Sequence, residues 1–347
     1  MPVLSYGCEI WGPDVIGTSG AGLLRGEAEL LHRSFMRSVL GVRKSTSIGV
    51  IMDELKRSPV MCTWLDHICR FWNRIVKRGA QGGYDLTYLC LRDSIQLATQ
   101  HNKGWAYSVM NIVRKLTGGT VDMIMNGDIP IFCDAWEVGE YAYELWHDHA
   151  WDSLRNARQT AEAANHDHAN LSMVQSCPDD HHVGFKLLKY DCWFRGIEYD
   201  TAAMRCWALR QSYVYTLHRY EHIRIIAQFR MASHWLGFEY LCPTMEDRSK
   251  RHCVVCHNVC EDELHLMKCP LYSDIRLKYK DHIDFDHVNG GGFSGTLDQA
   301  IQHAMNGYGR AFWTAFACYL LDCKDRRQRV IDGCWPVARV ELVDSLD

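Results

Sequence analysis

Apolar residues recur at three- and four-residue steps through most of the chain, a period that predicts helices. Leu30, Leu31, Phe35, Val39 and Leu40 predict a helix over 27–40, and Gly41 suits the left-handed position beyond its end. Ser47 suits an N-cap for a short helix over 48–56. Pro59 opens the next helix, which runs to about Arg78 on a stripe of Trp64, Ile68, Phe71, Trp72 and Ile75, and Gly79 to Gly83 breaks it. Two more helices, 85–100 and 103–117, complete an all-α block. Val3 to Trp11 mixes β-branched, aromatic and small residues and reads as a short strand or a helix end.

Gly118 to Pro130 is the predicted boundary of that block. Beyond it, Ala135 to Ala164 reads as one long helix, His166 to His182 as a polar loop, and 185–198 as ambiguous. Thr201 to Leu236 is strongly helical in pattern and rich in Arg and aromatics. Asn289 to Gly295 is a Gly-rich linker, and a last helix is predicted from Leu297 to Arg329. The predicted class is mainly α with little sheet. Four segments follow: 1–120, an acidic helical connector over 121–200, a basic helix plus cysteine cluster over 201–280, and 281–347.

Composition keeps this a folded chain: 347 residues, 47% apolar and 23% charged, near the globular average. The formal net charge of -4 argues at first sight against nucleic acid, but its distribution is uneven. Residues 1–120 carry 15 Lys and Arg against 9 Asp and Glu, and 201–280 carry 12 against 8. Between them, 121–200 carry 5 against 15. A basic block can sit against phosphates even in a chain that is acidic overall. The chain shows no basic n-region after Met1, and its longest apolar run, Ala311 to Leu321, falls short of the roughly 20 residues that cross a bilayer. A reducing intracellular setting, nuclear or cytoplasmic and away from membranes, is therefore expected for the 16 cysteines.

In such a setting clustered cysteines read as metal ligands. The sharpest cluster is C-V-V-C-H-N-V-C-E-D-E-L-H-L-M-K-C-P, residues 253–270. Cys253 and Cys256 have the spacing of a thiolate knuckle. His265 and Cys269 are four apart and share one face of a predicted helix, which Glu261, Asp262 and Glu263 open and Pro270 ends. Two ligands from a turn and two from a helix face can close a tetrahedron around Zn2+. A closed four-ligand site is structural, because no position remains for substrate water. Cys260 competes as a ligand, and His252 and His257 lie nearby.

At these residues the chain resembles the C-terminal zinc knuckle of LINE-type (non-LTR) retrotransposon reverse transcriptases. The likeness runs over Arg248 to Arg276, R-x-x-R-H-C-V-V-C and then E-D-E-L-H-L-M-K-C-P-L-Y-S-D-I-R. A-Q-F-R-M-A-S-H-W-L-G-F-E (Ala227 to Glu239) is similar to the helix before that knuckle. Y-G-C-E-I-W-G (Tyr6 to Gly12), H-R-S-F-M-R-S-V-L-G-V (His32 to Val42), E-L-K-R-S-P (Glu54 to Pro59) and F-W-N-R-I (Phe71 to Ile75) match, in order, the region after the polymerase palm and the thumb. Residues 120–200 match little, and 280–347 only loosely.

The resemblance implies a thumb-like helical region over 1–120 and a CCHC zinc knuckle that grips template RNA or target DNA. It also implies a polymerase palm before Met1, with which this chain would pair in a full-length parent. Polymerisation needs paired carboxylates holding two metals. The one adjacent Asp pair, Asp179–Asp180, lies in C-P-D-D-H-H with no strand pattern around it, so no catalytic activity is expected. The candidate nucleic-acid contacts are Arg224, Arg230, Arg251, Lys268, Arg276 and Lys278, set among aromatics that suit unstacked bases. The alternative reading is a zinc-stabilised protein-interaction module without nucleic-acid binding. His147-Asp148-His149 and His166-Asp167-His168 read as surface histidines, since residues two apart on a helix diverge.

Overall fold

The computed structural model describes residues 5–16, 22–24, 26–55, 57–80, 85–118, 123–126, 129–132, 138–149, 152, 190, 212–236, 252–257, 259, 261–285, 306–307 and 309–333. It is mainly helical. In chain order the helices are α1 (Cys8–Trp11), α2 (Glu27–Leu40), α3 (Ile48–Leu55), α4 (Val60–Ala80), α5 (Leu86–His101) and α6 (Trp105–Thr117). One antiparallel hairpin follows, β1 (Met123–Asn126) with β2 (Ile129–Phe132), in the register Asn126 to Ile129. Then come α7 over 138–149, α8 (Tyr213–Thr216), α9 (Tyr220–Arg230), α10 (Glu263–Lys268), α11 (Ser273–Tyr279) and α12 (Gly309–Ile331). The chain divides into two compact units, Met1–Met36 with Lys56–Asp152, and Arg37–Leu55 with Ser153–Asp347.

The first unit is organised by α4. Its apolar stripe is the predicted one, and Trp64, Ile68 and Trp72 are buried. Trp11 of α1 meets Trp64 edge-on at 4.6 Å, a favoured geometry for two indoles. Trp72 donates its indole N–H to the Pro130 carbonyl at 2.8 Å. Asn73 exchanges two hydrogen bonds with the Phe132 backbone, at 2.8 and 2.9 Å, which fastens the hairpin to α4. The predicted boundary at 118–130 thus holds a strand pair. Asn126-Gly127-Asp128 between two apolar runs is a hairpin signal that the helical reading passed over.

α2 forms where predicted, and Leu40 at the end of its stripe is buried with Met36, but the first turns bury a different face. Leu30, Leu31 and Phe35 are exposed, while Glu29 and His32 are buried. The reason is a backbone need: Glu29 accepts the Val60 N–H at 2.7 Å, satisfying an orphan donor at the start of α4. A carboxylate there also faces the positive end of the α4 dipole.

The second unit takes Arg37–Leu55 away from the predicted 1–120 block. Gln228 donates to the Gly41 carbonyl at 2.7 Å, and Ser233 Oγ accepts the Arg43 N–H at 2.9 Å. Gly41 has φ 64, and a Cβ there would collide with the Arg224 guanidinium lying across it. Arg230 donates to Glu54 at 2.6 Å, with Tyr190 donating to the same carboxylate at 3.1 Å. Trp313, Phe316 and Leu320 of α12 build the apolar core beside Phe229 of α9.

Three predicted helices have other limits. Thr201 to Leu236 is broken: Leu217 and Arg219 have extended backbones, and α9 ends before Ala232, which has φ 47. The last helix begins at Gly309, since residues 306–307 are not helical and Gly309 itself has φ 81. Of the predicted helix 135–164, residues 138–149 and 152 are helical; the rest lies outside the described residues, as do the loop 166–182, most of 185–198 and the linker 289–295.

Candidate metal centre

The knuckle is built from one tight turn and one short helix. In the turn, Cys253 N–H donates to the Val259 carbonyl at 2.8 Å, His257 N–H to the Cys253 carbonyl at 3.1 Å, and Val255 N–H points at Cys253 Sγ at 3.5 Å. His257 takes the left-handed backbone, φ 55, that turns the chain there. Asp262 caps α10 by accepting the His265 N–H at 2.7 Å. Cys269 N–H closes the helix on the His265 carbonyl at 2.7 Å, and Cys269 then leaves the helical region ahead of Pro270.

This backbone brings all four predicted ligands together. Cys253 and Cys256 Sγ each lie 3.8 Å from Cys269 Sγ. One ligand atom from each of Cys253, Cys256, His265 and Cys269 falls within 4.8 Å of the others. An ion bound at about 2.3 Å from sulfur would set tetrahedral S–S edges of about 3.8 Å. His265 Nε2 is buried and makes no hydrogen bond to the described protein atoms, an orphan that a cation or a neighbour must satisfy. The cluster can therefore hold a metal ion. His252 and His257 are exposed and outside it, and Cys260 lies outside the described residues.

Without a cation the three sulfurs cannot all ionise at this distance. Cys253 is pushed down to about 3, chiefly by the hydrogen bond Cys269 gives it, against the cost of burial. Cys269 is driven far above the usual thiol range as the donor of that bond. Burial, and then the charge on Cys253, raises Cys256. A divalent cation removes the conflict, because it favours the thiolate at every position.

The acidic run around α10 serves contacts that no local spacing announces. Glu261, buried, accepts two hydrogen bonds from Arg327 of α12, at 2.7 and 2.6 Å. Glu263 lies 3.0 Å from His234 Nε2, both buried. Tyr319 donates to the Leu266 carbonyl at 3.1 Å. On the far side, Arg326 grips Asp274 at 2.5 and 2.9 Å and reaches the Leu271 carbonyl. Only the negative partners were visible as a motif; Arg327 is 66 residues from Glu261.

The predicted nucleic-acid contacts are not alike. Arg230 is a correction: it is buried, paired with Glu54, and flanked by the Tyr213 and Trp313 rings at 5.9 and 5.8 Å, so it cannot reach a phosphate. Arg276 donates to the Cys269 and Lys268 carbonyls at 2.7 and 3.3 Å, which braces the end of α10. Lys278 is exposed but paired with Asp322 at 2.7 Å. Lys268 and Arg224 are exposed, and Arg251 lies outside the described residues.

Comparison with known proteins adds no relative: no protein-family model, curated protein or solved structure matches the chain. The likeness to LINE-type reverse transcriptases stands on the quoted residues alone. Among the described residues no helix is long and apolar enough to cross a membrane.

Proposed function

We propose that the chain is a non-catalytic C-terminal piece of a LINE-type reverse transcriptase, with a zinc-ordered knuckle that contacts template RNA or target DNA. One observation carries the reading: three thiols and an imidazole converge within 4.8 Å of one another, at the residues where the resemblance expects them. Three sulfurs and one nitrogen suit zinc among common divalent ions, and a reducing compartment would keep the thiols available. Zinc here would order the turn and α10, and would do no chemistry.

Of the candidate contacts among the described residues, Lys268 and Arg224 are exposed to a phosphate backbone, and Arg276 acts through the knuckle's shape. The test is fluorescence anisotropy of a structured RNA over a salt series. The native chain should lose affinity steeply between roughly 50 and 200 mM salt, and Lys268→Ala with Arg224→Ala should flatten that slope by about one unit per lost contact. Serine at Cys253 should abolish binding and release one zinc. Primer extension should give no product, because the resemblance covers the thumb and the knuckle and not the palm that carries the catalytic carboxylates.

A second reading, a zinc-stabilised protein-interaction module, gains from the pairing of Lys278 and Arg326 with Asp322 and Asp274, which neutralises part of the basic surface. Salt-insensitive or absent RNA binding by the zinc-loaded chain would favour it.

A further inference from the structure

A second group of metal donors sits in the first unit, away from the knuckle in sequence. Cys8 Sγ lies 3.8 Å from His67 Nδ1 and 3.9 Å from a Glu9 carboxylate oxygen. The three donor atoms all fall within 4.8 Å of one another, and among the described residues no fourth donor joins them. Cys8 is fully buried, while Glu9 and His67 are partly open to solvent.

The surroundings fix these donors independently of any ion. Gly7, with φ 69, turns the chain into α1 and so aims Cys8 and Glu9 at α4. Trp11, one turn after Cys8, packs on Trp64, one turn before His67. Trp105 donates its indole N–H to the Glu9 carbonyl at 2.9 Å. Donors held by their own packing are the condition for a defined site.

We propose that Cys8, Glu9 and His67 form a three-donor site for a zinc-class divalent cation, with one coordination position open. A thiolate, an imidazole and a carboxylate are each zinc ligands, and bond lengths of about 2.3, 2.1 and 2.0 Å give tetrahedral edges of about 3.3 to 3.6 Å. The two separations from Cys8 exceed their edges by a few tenths of an ångström, and Glu9 and His67 lie within 4.8 Å of each other. Three protein ligands leave the fourth position to water or to a donor atom from a bound molecule. With fewer ligands, this site holds its ion more weakly than the four-ligand knuckle.

The test is Zn2+ titration of the full chain against a competing chelator, with Co2+ absorption as a second readout. The native chain should take up a tight equivalent and a weaker one. Cys8→Ser and His67→Gln should each remove the weaker equivalent and its one-thiolate cobalt signal. Cys253→Ser should remove the other, so the two sites fail separately. His67 is partly exposed, so His67→Gln keeps the test open should Cys8→Ser misfold; far-ultraviolet circular dichroism checks each variant. Metal content and cobalt spectra unmoved by both folded variants would overturn the proposal and leave a simple thiol–imidazole contact.

Discussion

The helical unit around α4 and the knuckle around α10 reach order by opposite means. α4 has 21 residues and buries Trp64 and Trp72 in an apolar interior. α10 has 6 residues, and beside its buried Leu266 and Met267 the interior around it holds Cys253, Cys269, Glu261 and Glu263. A helix of that length does not stand by itself, since nucleation costs more than a few bonds return. Long helices can lean on burial alone; a very short one needs cross-links, here metal donors, a buried guanidinium and an N-cap.

The largest effect should come from withholding the ion proposed for the knuckle. Structural zinc contributes on the order of 10 kcal/mol to such small units. Chelation, or Cys269→Ser, should abolish amide protection at His257, Leu266 and Cys269 by hydrogen exchange while α4 and α6 stay protected. Simultaneous loss in both regions would dissolve the contrast. Next in size are two single substitutions of similar cost and different cause. Trp72→Ala should cost about 3–5 kcal/mol through the cavity it leaves in the helical unit. Glu261→Ala should cost about 3–5 kcal/mol by leaving Arg327 charged and buried, and Glu261→Met with Arg327→Leu should recover most of it. Urea unfolding of the metal-loaded chain measures both; no recovery in the double variant would mean that the pair does more than neutralise charge.

Smaller effects sharpen the picture at the edges. Asp85→Ala should cost about 1 kcal/mol, because Asp85 accepts the Thr87 N–H at 2.9 Å as the N-cap of α5. A thermal midpoint equal to the native one would show that α5 needs no cap. Smallest is the Asp274–Arg326 pair. Hydrogen bonding to Arg326 holds the Asp274 carboxyl below its ordinary range. Its contribution is therefore present above about pH 3.9, the unfolded value, and is lost as pH falls through the lower folded value. Solvent screening at this exposed pair keeps it under about 1 kcal/mol. The stability difference between native and Asp274→Asn, followed from pH 6 to 3, should shrink at the acid end; a constant difference would discard the pair as a stabiliser.

Local pattern carried the metal donors well and the buried charges poorly. The spacing of Cys253, Cys256, His265 and Cys269 sets their convergence directly, because a turn and one helical face leave little freedom. The α4 stripe was equally legible. α2 was not: its period was right, but a buried carboxylate at Glu29 answers a backbone donor 31 residues away, and periodicity carries no such information. Arg230 looked like a phosphate ligand because Arg among aromatics is common to binding faces and to buried cation–aromatic clusters; its partner Glu54 is 176 residues distant. The hairpin was readable in Asn126-Gly127-Asp128 and was hidden only by the helices on either side.

Arg326 and Arg327 are neighbours on α12, yet they hold Asp274 and Glu261 on separate flanks of the knuckle. Consecutive helical residues diverge by about 100°, so one turn of one helix clasps two flanks at once. A premature stop codon before Arg326 would spare every metal donor and still undo both clasps. Loss of the chain from Arg326 onward would then reach a cluster encoded more than 50 residues upstream.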